Sequence, residues 1–237
     1  MFSKTLTAGA ARRWMGLLAL ASFAAWSGQA SAQTEQQDLV NSAETTFTNF
    51  VRDPDMGWLQ QHIGIARGVL ISPQIVKAGF IFGGAGGRGV LFVRNDQTGR
   101  WEGPAFYNLA TASVGFQAGV AVSESVMLIM TEKGINSLLA DSVKIGGDAS
   151  VAAGPVGTGA KADVTTDFVS FSRAKGLYGG LNLDGTVISV ANNWNESYYG
   201  RGVLPPDILL RASAHNIQAD RLAAAIMRAS SPRTSLR

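Results

Sequence analysis

The chain has 237 residues, no cysteine and a formal net charge of +3, which excludes disulfides and a cysteine-linked lipid anchor. The positive excess lies wholly at the start: without Lys4, Arg12 and Arg13, seventeen basic residues face seventeen acidic ones. That neutral remainder lacks the basic footprint of a nucleic-acid-binding protein, so nucleic acid is not expected as a partner.

Residues 1–32 read as a cleaved signal peptide. Lys4, Arg12 and Arg13 form a basic start, Trp14 to Trp26 is apolar, and Ala30-Ser31-Ala32 supplies a small-x-small cleavage site. The apolar run is shorter than the roughly 18–20 residues of a membrane span. The Arg12-Arg13 pair leaves both general and twin-arginine export open. The protein is thus expected to be exported, to the periplasm or the outer membrane, without a lipoprotein anchor. The remainder, about 200 residues, fits one domain with a substantial core.

Residues 33–66 read as helical. Leu39, Ala43, Phe47 and Phe50 recur at helical spacing, Asp53-Pro54 breaks the pattern, and Asp53 or Asp55 can cap a short second helix through Met56, Leu59 and Ile63. The charges here are Glu35, Asp38, Glu44, Asp53 and Asp55 against Arg52 alone. An acidic amphipathic helix suits packing on the domain core better than lying on anionic lipid.

From Val69 the period changes to two. "AGFIFGG" and "GVLFVRND" are strand-like, Asn95 to Trp101 reads as a hairpin loop, and Val114, Phe116, Ala118, Val120 and Val122 alternate with small or polar residues. Val126 to Met130 is continuously apolar, as in a strand buried on both faces. Thr131 can cap a short helix despite Gly134. "DASVAA" and "AKADVT" flank the loop "GPVGTG", and Asp184-Gly185 signals a two-residue hairpin. After Pro205-Pro206, Asp207 can cap a terminal helix from Ile208 to Met227, and the last residues are expected to fray. The sum predicts an α+β domain: a glycine-rich antiparallel β-sheet or partly closed barrel-like core over 67–211, flanked by the N-terminal helical segment and a C-terminal helix and tail over 212–237.

Two phosphate-binding patterns fail on context. Gly84, Gly86 and Gly89 have the G-x-G-x-x-G spacing of a dinucleotide site, but strand-forming Val90-Leu91-Phe92-Val93 follows instead of a helix. Their expected role is a tight crossing between two strands, where backbones approach closely. Gly154 and Gly159 have P-loop spacing, yet Ala160 stands where lysine is needed, and Lys161 is followed by Ala162. His62 and His215 are the only histidines; no zinc or triad motif includes them, and both are expected to be surface or capping residues. No catalytic residue, cofactor or metal is expected.

The stretches "KAGFIFGGAGGRGVLFVR", "KIGGDASVAAGPVGTGAKAD", "FSRAKGLYGGLNLDGTV" and "SYYGRGVLPPDIL" together resemble the SYLF-domain family, which includes a set of yeast actin regulators, over about Arg67 to Leu210. Within the family it resembles the exported, bacterial, lipid-binding members. The family's motif positions fall on Lys77 to Phe80, Gly87 to Val90, and Ser172, Arg173, Lys175, Gly176 and Leu177. The resemblance implies a non-enzymatic module that binds membrane phospholipid, with an anionic or phosphoinositide-like headgroup. Actin is not expected as a partner of an exported protein, whereas an envelope protein partner is the alternative reading. Lys77, Arg88, Arg173 and Lys175 are cations beside apolar strands that could meet a lipid phosphate, with Phe80 and Leu177 against acyl chains. These cations could equally pair with Asp163, Asp167 or Asp184.

Overall fold

A computed structural model describes residues 34–79, 82–114, 119–157, 166–174, 177–178 and 185–231. The signal-peptide reading of residues 1–32 lies outside them, as do Phe80, Phe116, Ala118, Lys161, Lys175, Asp184 and the terminal residues 232–237.

The N-terminal helical stripe forms helix α1 (34–52), which buries Val40, Ala43, Phe47 and Phe50. Asp53 ends it as expected: its carboxylate accepts a hydrogen bond from Asp55 N at 2.9 Å and caps a 3₁₀ turn, Pro54–Met56, that leads into α2 (Gly57–His62). Four long strands follow: β1 (Gly68–Gly79), β2 (Phe82–Arg94), β3 (Trp101–Val114) and β4 (Gly119–Ile129). Helix α3 (Glu132–Leu139) is capped by Thr131, whose hydroxyl accepts from Gly134 N. Short strands β5 (Ser142–Lys144), β6 (Val151–Ala153), β7 (Phe168–Ala174), β8 (Leu177–Tyr178) and β9 (Val187–Val190) complete the sheet. Helices α4 (Asn192–Tyr199), α5 (Pro205–Leu209) and α6 (Asp220–Ser230) close the described chain.

The sheet runs β5-β9-β3-β2-β1-β4-β7-β6, with β8 paired to β7. Its two end strands are joined by residues 145–150 alone, a stretch that reaches about 25 Å at full extension. A flat row of eight strands would hold its edges about 33 Å apart, so the sheet must curl. The loop is tighter still, because Gly146 N donates to Ala149 O at 2.8 Å. The α+β, partly barrel-like expectation is thus borne out.

Both faces of the sheet are covered near its middle. Val69, Ile71, Val90, Phe92, Val126 and Leu128 pack with α1, α2, α4 and α6, while their neighbours Leu70, Leu91, Val93, Met127 and Ile129 pack with α3, α5 and β5. That two-sided burial is why "VMLIM" shows no alternation.

The glycine stretch corrects the sequence reading. Gly84, Gly86 and Gly89 do not lie at a crossing between strands; they sit inside β2, all three paired to β3, with Gly84 and Gly86 paired to β1 as well and Gly89 opposite an irregularity in it. Across from them, β1 carries a bulge at Pro73: register slips between Ile71 and Gln74 against β2, and between Ser72 and Ile75 against β4. Proline has no N–H to donate, and a bulge is where a central strand tolerates it. The bulge pushes backbone into β2, so that a Cβ on Gly87 would stand 2.4 Å from Gln74 O, and one on Gly89 2.6 Å from Ser72 Oγ. Close strand pairing at the bulge thus accounts for Gly87 and Gly89.

Three other readings need correction. Strand β6 pairs with β7 in parallel, not antiparallel. Strand β9, after Gly185, pairs with β3 and β5. The continuous helix expected from Ile208 to Met227 is broken. Leu210 and Arg211 both donate to Pro206 O, Ala212 takes φ +50, and Asn216 starts a new turn by accepting from Gln218 N. Ser213, whose hydroxyl donates to Asp207 O, and Asn216 favour such local bonds over helix.

Asp167 ties the start of β7 to α3. Its carboxylate is buried and accepts from Thr131 Oγ1 (2.6 Å), Ser150 N (3.0 Å) and Ser150 Oγ (2.8 Å), with Lys133 Nζ at 3.5 Å. Burial alone would raise its pKa, but the three hydrogen bonds and the Lys133 charge outweigh it and hold the group at about 2. A pKa below the unfolded value of about 3.9 stabilises the fold above about pH 4, and this is lost as pH falls toward 2. Denaturation between pH 5 and pH 2 should therefore show wild type losing about 2 kcal/mol that Asp167→Asn does not lose.

Candidate functional site

Where β1 to β4 run past the helices, their side chains become small and their surface opens. By strand register Gln74, Val76 and Ala78 share a face with Arg88, Gly86 and Gly84 of β2, with Val122 and Val120 of β4, and with Asn108 of β3. Val120 is 67% exposed and Val122 43%, so the alternation read from sequence marks an open apolar face, not core.

The N-terminal half of α1 overhangs this face, and between them lies a groove of about 790 Å³, a size that suits a small ligand or a lipid headgroup. Val76, Gly86, Gly87 and Val122 line it from the sheet, Leu39, Ser42, Glu35 and Asp38 from α1, and Arg88 and Trp194 complete the lining. The Arg88 guanidinium lies 4.3 Å from the Trp194 ring centroid. Stacking of this kind fixes the plane of the cation while leaving its edge N–H groups free to donate. Among the described residues, Arg88 is in no ion pair.

Trp194 is held there by α4. Asn195, fully buried, accepts from Phe106 N at 2.8 Å, and Ala191 N donates to Phe106 O, so the helix start is tied to β3. Phe106 also packs its ring 5.9 Å from Trp194.

The other sequence-chosen cations do not join Arg88. Arg173 is bonded to Glu124 through Nε at 2.6 Å and through Nη2, with its guanidinium 5.4 Å from the Phe50 ring. Thr46 Oγ1 donates to the other Glu124 oxygen at 2.8 Å, so this pair locks α1 onto the sheet. Among the described residues its partner is Glu124; Asp167 meets Lys133 instead, and Asp163 and Asp184 lie outside the described residues. Lys77 is exposed and pairs in register with Ala85, which puts it on the opposite sheet face from Arg88. Lys175 and Phe80 lie outside the described residues, and Leu177 contributes backbone pairing to Ala174.

A second cavity of about 400 Å³ includes Arg67, but that arginine is bonded to Asp96 at 3.0 Å. His62 stacks on Trp58 with centroids 3.8 Å apart, its Nδ1 2.8 Å from Trp58 O, and His215 lies 3.3 Å from Asp220. Among the described residues no group of three His, Asp or Glu side chains could hold a metal, and no helix is long and apolar enough to cross a membrane.

Sequence reasoning found Arg88 but missed Trp194, because α4 was not read from "NNWNESYY". It also missed the placing of Glu35 and Asp38 beside Arg88. The available signal was the cluster of Trp194, Tyr198 and Tyr199 at helical spacing after a strand.

Comparison with known proteins places the chain in a family. The family model described as Ysc84, Las17-binding protein actin regulator, matches residues 110–229. The chain is 33% identical over 142 residues to Protein YSC84 of Saccharomyces cerevisiae, covering 57% of this chain and 30% of the yeast protein. It is 31% identical over 142 residues to LAS seventeen-binding protein 3 of the same yeast, covering 57% and 30%. The Homo sapiens SH3 domain-containing YSC84-like protein 1 is 26% identical over 165 residues, covering 68% and 48%. The chain thus spans less than half the length of these relatives.

Proposed function

Because the chain belongs to the Ysc84 family, whose resemblance in sequence carries an expectation of lipid binding, we propose that it is a non-enzymatic module of the bacterial cell envelope that binds a phospholipid by its phosphate. The observation that carries this reading is Arg88: a stacked guanidinium with no carboxylate partner among the described residues, in a groove lined by valine and glycine. A phosphate can accept from its edge N–H groups while acyl carbons run over Val76, Val122 and Val120. The amino-terminal 32 residues would direct export, and the periplasm or outer membrane is the proposed location.

The test is co-sedimentation of the purified protein with phospholipid vesicles. Wild type should sediment, and Arg88→Ala should weaken binding about tenfold to a hundredfold, the cost of one charge-assisted contact. Binding that is absent at low salt, or indifferent to Arg88, would contradict the reading. A second reading, favoured by the exposure of Val120 and Val122, is a protein partner on the same strand ends. Retention of a stoichiometric envelope protein, lost in Val120→Asp, would support it.

A further inference from the structure

The groove holds charges of both signs. Arg88 and Trp194 line it together with Glu35 and Asp38, which lie three residues apart on α1. Neither carboxylate is in an ion pair among the described residues. The described part of α1 as a whole carries Glu35, Asp38 and Glu44 against Arg52. An anionic headgroup such as phosphatidylglycerol would satisfy Arg88 but share the groove with two carboxylates that no described cation pairs. Juxtaposed like charges disfavour that arrangement.

We infer that the groove recognises a zwitterionic headgroup: a phosphate at Arg88 and a primary ammonium at Glu35 and Asp38, as in phosphatidylethanolamine. This rests on the lipid-binding reading and names its ligand. A primary ammonium has three N–H donors that the two carboxylates can accept, whereas a choline group has none, so ethanolamine is preferred over choline as well as over glycerol. The valine lining then receives the acyl chains next to the glycerol backbone. Charge complementarity of this kind sets which headgroup enters more than how tightly any lipid is held.

The experiment compares binding to vesicles of phosphatidylcholine alone, with added phosphatidylethanolamine, and with added phosphatidylglycerol. Three proteins are used: wild type, Arg88→Ala and the double variant Glu35→Gln with Asp38→Asn, each checked for unchanged thermal unfolding. Wild type should prefer the ethanolamine vesicles about tenfold over either other composition. The double variant should lose that preference while still binding phosphatidylglycerol, and Arg88→Ala should lose binding to all. Glycerophosphoethanolamine in solution should compete, and inorganic phosphate should not. Equal or better binding to phosphatidylglycerol, an unchanged preference in the double variant, or equal competition by inorganic phosphate would overturn the inference and leave the lipid reading standing. No Arg88-dependent binding to any vesicle would remove both.

Discussion

Gly87→Ala is expected to destabilise the fold by about 2–4 kcal/mol, while Gly86→Ala, one residue earlier, should stay within about 0.5 kcal/mol of wild type. The difference comes from the Pro73 bulge. At Gly87 a new methyl meets Gln74 O at 2.4 Å and Ile75 Cα at 3.2 Å, both backbone atoms of the neighbouring strand. They cannot move without breaking the register of a strand that is paired on both sides. At Gly86 the nearest atom is Leu109 O, at 3.9 Å, which is ordinary contact; there the lost glycine entropy of the unfolded chain partly offsets any cost. Urea unfolding of the two variants measures this directly. Equal effects at both positions would remove the bulge as the reason for the glycines.

The second large effect is expected at the ion pair under α1. Glu124→Ala should cost about 2–3 kcal/mol, because it leaves the Arg173 guanidinium and the Thr46 hydroxyl without the carboxylate they share. The side chains are about a fifth exposed, 22% for Arg173 and 20% for Glu124, so water recovers part of the loss. Replacing both, Glu124→Leu with Arg173→Met, should cost less than the single change, since no charge is then stranded. Hydrogen exchange should show the effect first in α1, the helix that Thr46 and Phe50 connect to the pair. A double variant less stable than Glu124→Ala would show that the pair itself, not the stranded charge, carries the energy.

Local signals gave the elements that local chemistry decides. The Asp53 and Thr131 caps, the Asn95 to Trp101 loop and the helical stripe of α1 each depend on residues a few positions apart, and each is found. The terminal helix failed because apolar spacing alone hid the cost of Ser213 and Asn216, whose side chains offer the backbone other partners. The parallel pairing of β6 with β7 was invisible because strand direction is settled by distant contacts, not by the residues of three-residue strands. The site shows the same division. Arg88 was legible as a cation in an apolar strand, whereas its separation from Lys77 depends on register, where one residue changes the face. Trp194 reaches Arg88 only through α4, and Glu35 and Asp38 reach the groove only through the way α1 crosses the sheet. Arg173 looked equivalent to Arg88 in sequence; the placing of Glu124 opposite it in register makes it structural.

The central claim is that lipid enters the groove between α1 and the ends of β1, β2 and β4, at Arg88. The chain has no cysteine, so a single fluorophore can be attached at Val76→Cys, in the groove lining, or at Gln97→Cys, in the exposed loop after β2. Each labelled protein is mixed with vesicles whose acyl chains carry bromine, which quenches on contact. The account predicts quenching at position 76, none at position 97, and loss of the quenching at 76 when Arg88→Ala is added. Equal quenching at both positions, or quenching at 76 that survives Arg88→Ala, would contradict it.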